Sequence, residues 1–293
     1  MSGHLTIVRT GLPVLVQDLG RPGLAAIGVG GSGAVDRGAL ALGNRLLANP
    51  CTSAGLEITL GGLEATIEGA QTLVLSGAVA PASLDDRPVP FAAPFATRHG
   101  QRLVLGIPPL GLRTYLSVRG GIDVDPVLGS RSTDVLSGVG PEPLTDGSTV
   151  PLGDPSGTGF PCLDVAPVQP LPEVLTLGVD LGPRHDWFAD PSSLAHRLWT
   201  VSSQSNRVGI RLEGDPLRRA SAYVDRELPS EGVVLGAVQV PSNGRPVVFL
   251  ADHPVTGGYP VIAVVRSNDL DRAAQARPGQ PVRFHIHDNR SNR

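Results

Sequence analysis

Residues 55–77 read GLEITLGGLEATIEGAQTLVLSG, three short apolar-rich runs separated by glycine. The runs GLEITL, LEATIEG and TLVLSG are each long enough for a strand and too short for a helix, and alternation or β-branching marks each one. A turn at Asp85-Asp86-Arg87 follows, then further strand-like runs in RLVLGI and TYLSVRG. Such a series predicts a β meander or barrel.

Working outward, LTIVR and PVLVQDL near the start are two more strands, divided by Gly-Leu-Pro. The clearest helix spans 36–48: Val35, Ala39, Leu42 and Leu46 recur at helical spacing, Asp36 suits the first turn and Asn49-Pro50 ends it. Between Thr145 and Pro172 the chain turns loop-like, with three prolines in VAPVQPLP, and this is the expected boundary between domains 1–168 and 169–293. The second half opens on VLTLGVDL, followed by a short helix with Asp190 at its N-cap and Pro191 at its first position. GVVLGAVQV and PVVFLAD flank Asn243-Gly244, a strong hairpin signal, and YPVIAVV and PVRFHI continue the sheet around a brief helix near 269–276. The fold class is therefore mainly β, in two β-rich domains with a few short helices.

Composition supports strands joined by turns: 37 glycines and 28 prolines accompany a hydrophobic content of 41%, which is too high for disorder. A net charge of −3 with mixed signs gives no basic stripe for nucleic acid or anionic lipid. The opening residues lack the pattern of a secretory leader and no apolar run reaches spanning length, which makes the cytoplasm the expected compartment. Cys51 and Cys162 stand in no paired motif and are expected to be reduced thiols, and His285 and His287 lack a third ligand at motif spacing, so no metal site is expected. All 24 basic residues are arginine. A chain without lysine cannot carry covalent biotin or the lysine of a Walker loop, whatever the codon bias that removed it.

Four polar, glycine-rich stretches beside strands are the functional candidates. VQDLGRPG at 16–23 places Asp18 and Arg21 around a turn, either as an anion site or as a pair that holds the turn. RGGIDVDPVLGSRSTD at 119–134 surrounds Arg131 with Ser130, Ser132 and Thr133, which suits an oxyanion or ties the loop to itself. In SSQSNRVGIRLEGD at 202–215, Asn206 and Arg207 at a strand entry can polarise a carbonyl and neutralise an oxyanion. The fourth set, Glu231, Gln239, Asp252, His253, Thr256, Gly257, Gly258 and Tyr259, lies at neighbouring strand ends, with Glu231, His253 and Tyr259 able to move a proton.

In this order and spacing the stretches resemble the biotin-dependent carboxyltransferase family, also called the allophanate hydrolase subunit 2 family. The markers are VQDLGRPG, SGAVDRGAL, GNRLLANP, GLEITLGG, YLSVRGGID, VLGSRSTD, SNRVGIRLEG and LADHPVTGGYPVIA. The resemblance implies a cyclophilin-like β-barrel in the C-terminal half, and a site assembled with a related smaller subunit of the family and a lactam-utilisation-type subunit. It implies ATP-dependent opening of 5-oxoproline to glutamate, with ATP contacts shared among the subunits. Two alternatives follow from the same family: carboxyl transfer from biotin, carried on another polypeptide, to urea, and a non-catalytic role as partner of a kinase-inhibitor protein. Leu235 replaces a common family proline, and Pro254, Val255 and Thr256 replace a Gln-Thr-Thr run, which removes a hydroxyl. Within this resemblance Asn206, Arg207, Glu231 and Tyr259 are the candidate catalytic groups. Asp18, Arg21, Arg131, Ser132, Gln239, Asp252, Thr256, Gly257 and Gly258 are the candidate substrate and anion contacts.

Overall fold

The computed structural model describes residues 3–159 and 164–287, so Cys162 lies outside the described residues, while Cys51 is exposed and free. Contacts divide the chain into two units. The first comprises Met1–Arg21, Ser32–Asp134 and Gly138–Leu171, and the second Pro22–Gly31, Val135–Ser137 and Pro172–Arg293. Two short segments from the first half thus count with the second unit, which no local composition signals.

The first unit holds two antiparallel sheets. In one, the strands run in the order Thr149–Pro151, His4–Arg9, Leu63–Glu68, Gln101–Leu105, Ala82–Leu84 and Arg87–Pro88; in the other, Leu15–Gln17, Gly55–Thr59, Arg113–Val118, Gln71–Gly77 and Phe95–Thr97. Leu5, Ile7, Ala65, Ile67 and Leu103 from one sheet join Val16, Leu56, Ile58, Leu75 and Leu116 from the other in one apolar cluster, as alternation predicts for packed sheets. The region expected to be a pure linker includes the strand Thr149–Pro151, which pairs with His4–Thr6; its three residues are too few to show a period. Asp85 and Asp86 both adopt positive φ, 47° and 62°, and close the tight hairpin that pairs Leu84 with Arg87.

The predicted helix forms over Arg37–Leu46, where the Asp36 side chain accepts from the Ala39 amide at 2.8 Å. It lies against the sheet closely enough that a Cβ on Gly43 would sit 2.4 Å from Ser117 Oγ. Under the helix start, Glu57 Oε2 accepts from the Tyr115 hydroxyl at 2.6 Å and from the Val35 amide at 3.1 Å. Burial, with the Glu57 charge beside it, pushes the Tyr115 hydroxyl well above the usual tyrosine range.

The second unit is a closed seven-stranded barrel in the order Leu175–Leu181, Val261–Val265, Ala237–Gln239, Val247–Phe249, Gly209–Glu213, Trp199–Val201 and Pro281–Ile286. The ring closes through a parallel pairing of Leu175–Val179 with Val282–Ile286, which leaves no free edge. Trp199 is fully buried and its indole nitrogen donates to the Leu194 carbonyl at 3.0 Å. The Asn243-Gly244 hairpin is present, with Val238 opposite Val248. The long run GVVLGAVQV is interrupted: only Glu231–Gly232 and Ala237–Gln239 are strands, and the former pairs with Thr256–Gly257 as a separate ribbon. The short helix begins later than expected, at Ser193, with Asp190 accepting from the Ser192 amide at 3.0 Å.

Candidate functional site

In the first unit, Asp18 is the hub of a buried polar web. Its Oδ1 accepts from the Ser130 and Ser132 hydroxyls, both at 2.6 Å, and from the Gly20 amide at 2.7 Å; its Oδ2 accepts from the Arg131 amide at 2.6 Å. A carboxylate so completely enclosed joins residues 16–20 to the 130–132 loop and has little capacity left for a ligand. Arg21 does not pair with Asp18, so the two do not hold the turn together. Its guanidinium donates to the Ser132 and Val127 carbonyls instead, and Nη1 is buried without an acceptor. Arg131 donates to the Val124 carbonyl at 2.6 Å and to Asp123 at 3.2 Å, so it ties its own loop.

In the second unit, Arg207 and Asp252 form a buried two-pronged pair, Nε to Oδ2 at 2.8 Å and Nη2 to Oδ1 at 2.9 Å, with exposures of 5% and 1%. The Val135 amide also donates to Asp252 Oδ2 at 3.1 Å. The guanidinium charge is met inside the protein, so the clamp role expected of Arg207 does not suit it, and the pair positions the loop ends it joins. Asn206 is exposed, and its side-chain oxygen accepts from the Val208 and Gly209 amides at 2.9 and 3.3 Å, which leaves only its amino group to face a ligand.

Glu231 is gripped by Arg184 through two hydrogen bonds. The hydrogen bond from Arg184 holds the Glu231 carboxyl below the usual glutamate range, so it stays ionised near neutrality and is a poor proton carrier. His253 Nδ1 lies 2.7 Å from the Pro254 carbonyl and its ring stacks on Phe249.

The remaining candidates converge. On three adjacent barrel strands, Arg211 is opposite Val247 and Val247 opposite Gln239, while Gly209 is opposite Phe249. Because side chains alternate, this row faces away from Ile210, Val248 and Val238, which fill the other side of the same strands. Between Val238 and Gln239 the partner strand skips from Ala263 to Val261, a bulge that re-aims Gln239. Gln239 Nε2 then donates to the Tyr259 carbonyl at 2.9 Å. The outcome is a cavity of about 340 Å³ lined by Arg211, Gln239, Val247, Phe249, Gly257, Gly258 and Tyr259, together with Leu136, Val208 and Pro254. Gly257 leaves room for the Gln239 amide: a Cβ would sit 2.6 Å from Gln239 Nε2 and displace it. Thr256 is exposed beside it, in the ribbon with Glu231 and Gly232.

Among the described residues the Arg211 guanidinium and the Tyr259 hydroxyl have no hydrogen-bond or ion-pair partner, and both border the cavity. Arg211 was missed from sequence; the available signal was its position two residues beyond Gly209 on the same strand face. The arrangement offers apolar walls, one uncommitted cation, one hydroxyl and the Gln239 amide, enough to hold and polarise a small ligand with a carboxylate and an amide. No group of three or more His, Cys, Asp or Glu suited to a metal ion occurs among the described residues.

Comparison with known proteins gives consistent results. The family model described as carboxyltransferase domain, subdomain A and B, matches residues 27–286. A protein of Escherichia coli named as a 5-oxoprolinase subunit is 40% identical over 285 residues, 96% of this chain and 90% of its own length. Its namesake in Haemophilus influenzae is 32% identical, with 92% and 86% covered. The crystal structure of K. lactis urea amidolyase superposes with a TM-score of 0.89 at 29% identity, covering 97% of this chain and 19% of that one.

Proposed function

The chain belongs to the carboxyltransferase domain family, and from that premise we propose that it is a subunit of an ATP-dependent 5-oxoprolinase. The observation that carries the reading is the 40% identity to the 5-oxoprolinase protein of Escherichia coli across nearly the full length of both chains. The partners in this reading are a related smaller subunit of the same family and a lactam-utilisation-type subunit. ATP is bound jointly with them, and this chain carries no biotin.

The reaction requires a resonance-stabilised lactam to be opened. Transfer of the γ-phosphoryl group of ATP to the lactam oxygen activates the ring carbon, one water adds and the C–N bond breaks to leave an acyl phosphate, and a second water releases phosphate from it, giving glutamate, ADP and phosphate. The ring nitrogen takes a proton as it departs. Arg211 suits the substrate carboxylate, because its guanidinium is uncommitted and offers a planar fork. The Gln239 amide, which lines the same cavity, faces the carbonyl, Tyr259 is the group that delivers the proton, and the amino group of exposed Asn206, outside that lining, is a donor to the ligand's outer part. Arg207 and Asp252 hold the segments that carry Asn206 and His253, and Glu231 holds the ribbon through Arg184.

The test is a pair of variants in the assembly reconstituted with both partner subunits. Tyr259→Phe is expected to lower kcat by about a hundredfold with KM little changed, and Arg211→Gln to raise KM for 5-oxoproline by about tenfold or more. Unchanged kinetics in both would remove this cavity from the reaction. Carboxyl transfer is the second reading, favoured by the likeness to urea amidolyase. It requires a biotin carrier on another polypeptide and is blocked by avidin.

A further inference from the structure

A second cavity in the barrel unit, of about 660 Å³, is not used by the proposed reaction. Arg219, Arg226 and Ser242 line it, and Gly258 and Tyr259 form the wall it shares with the smaller cavity. Behind it stands an aromatic cluster. Trp187 is buried, and its ring stacks on Tyr223 with centroids 4.6 Å apart and 14° between the planes. The Arg219 guanidinium carbon lies 5.3 Å from the Trp187 ring centroid and 5.7 Å from that of Phe188. The Arg226 guanidinium carbon lies 5.9 Å from the Trp187 centroid and 5.8 Å from that of Tyr223.

Aromatic faces hold both cations in place but accept no conventional hydrogen bond. Among the described residues neither guanidinium has an ion pair or a side-chain acceptor, and Arg219 Nη1 is closed off from solvent with nothing to donate to. Burial also draws the Arg219 guanidinium below the usual arginine range, as expected of a charge that lacks a counter-ion. Asp225 and Glu227 line the same cavity, yet they pair with neither arginine. Two guanidiniums pinned on one aromatic platform and paired with no carboxylate form a site prepared for an anion, because a ligand's oxygens would supply acceptors to the cavity-facing N–H groups of Arg219 and to the exposed fork of Arg226.

We propose that Arg219 and Arg226, with the Ser242 hydroxyl, form a binding pocket for a small ligand bearing a phosphate group or paired carboxylates. The pocket does not depend on the reaction proposed above. A ligand anchored there reaches the rim formed by Tyr259, which places its uncharged end beside the smaller cavity.

The experiment is calorimetric titration of the full chain at low ionic strength, with inorganic pyrophosphate and, separately, with glutamate. Saturable binding of at least one probe is expected, and Arg219→Gln and Arg226→Gln each weaken it by about tenfold or more. Arg226 is exposed, so its variant tests the pocket without disturbing the core, and Arg283→Gln, on an exposed barrel position, controls for the change in net charge. Saturation by pyrophosphate alone assigns the site to phosphate groups, and saturation by glutamate alone to dicarboxylates; either supports the pocket. No saturation by either probe, or affinity in both arginine variants equal to that of the parent and of Arg283→Gln, overturns it.

Discussion

Arg207 and Arg211 lie four positions apart in one motif, SNRVGIRLEG, and the fold gives them different work. Arg207 is buried against Asp252, whereas Arg211 is exposed at the cavity rim with no partner among the described residues. Removing one member of a buried pair strands the other charge, so Arg207→Ala is expected to cost about 3–5 kcal/mol of unfolding free energy by urea denaturation. Arg207→Lys should recover only part of it, since a lysine cannot make the two-pronged contact. An Arg207→Ala protein of undiminished stability would contradict the positioning role. Glu231 gives a prediction in pH. Its carboxyl is lowered by the hydrogen bond from Arg184, so its contribution to stability is present above the unfolded glutamate value of about 4.3 and fades as pH falls through the lower folded value. Glu231→Gln should therefore lower Tm near neutrality and converge on the parent only as pH falls through the lowered folded value, and a pH-independent gap would sink the assignment.

At the scale of elements, the bulge that places Gln239 and the ribbon that carries Gly257 make one unit. Gly257→Ala would drive a Cβ to 2.6 Å from Gln239 Nε2, forcing the amide away from the Tyr259 carbonyl. A destabilisation of about 0.5–1.5 kcal/mol, that of losing this hydrogen bond, is expected, and in a Gln239→Ala background, where the clash is absent, Gly257→Ala should cost little. An undiminished cost in that background would place it elsewhere. Elements with strong local chemistry were legible in the sequence: the helix capped by Asp36, the Asn243-Gly244 hairpin and the strands over 55–77. Less legible were elements too short to show a period, such as Thr149–Pro151 and the Glu231–Gly232 ribbon. The site followed the same division. Gln239, Gly257, Gly258 and Tyr259 were found because glycine and polar residues cluster beside strands. Arg211 was overlooked because only the cross-strand register, Arg211 to Val247 to Gln239, reveals which face it occupies. Asp18 and Arg207 are committed to partners distant in the chain and Arg131 to its own loop, neither of which spacing discloses.

At the scale of the whole molecule, the chain pairs a two-sheet unit with a closed barrel and contains no lysine. Arginine must therefore supply any side-chain cation other than histidine that meets an anion on this chain, and a biotin group has no lysine to attach to here. Among the described residues no helix is long and apolar enough to cross a membrane. The reaction proposed for the assembly is tested most directly by glutamate formation from 5-oxoproline by this chain combined with the two proposed partner subunits, with and without ATP and with avidin present. Turnover is expected to require all three polypeptides and ATP and to be unchanged by avidin. Turnover absent with 5-oxoproline, with avidin-sensitive carboxylation of urea in its place, would contradict the proposed reaction.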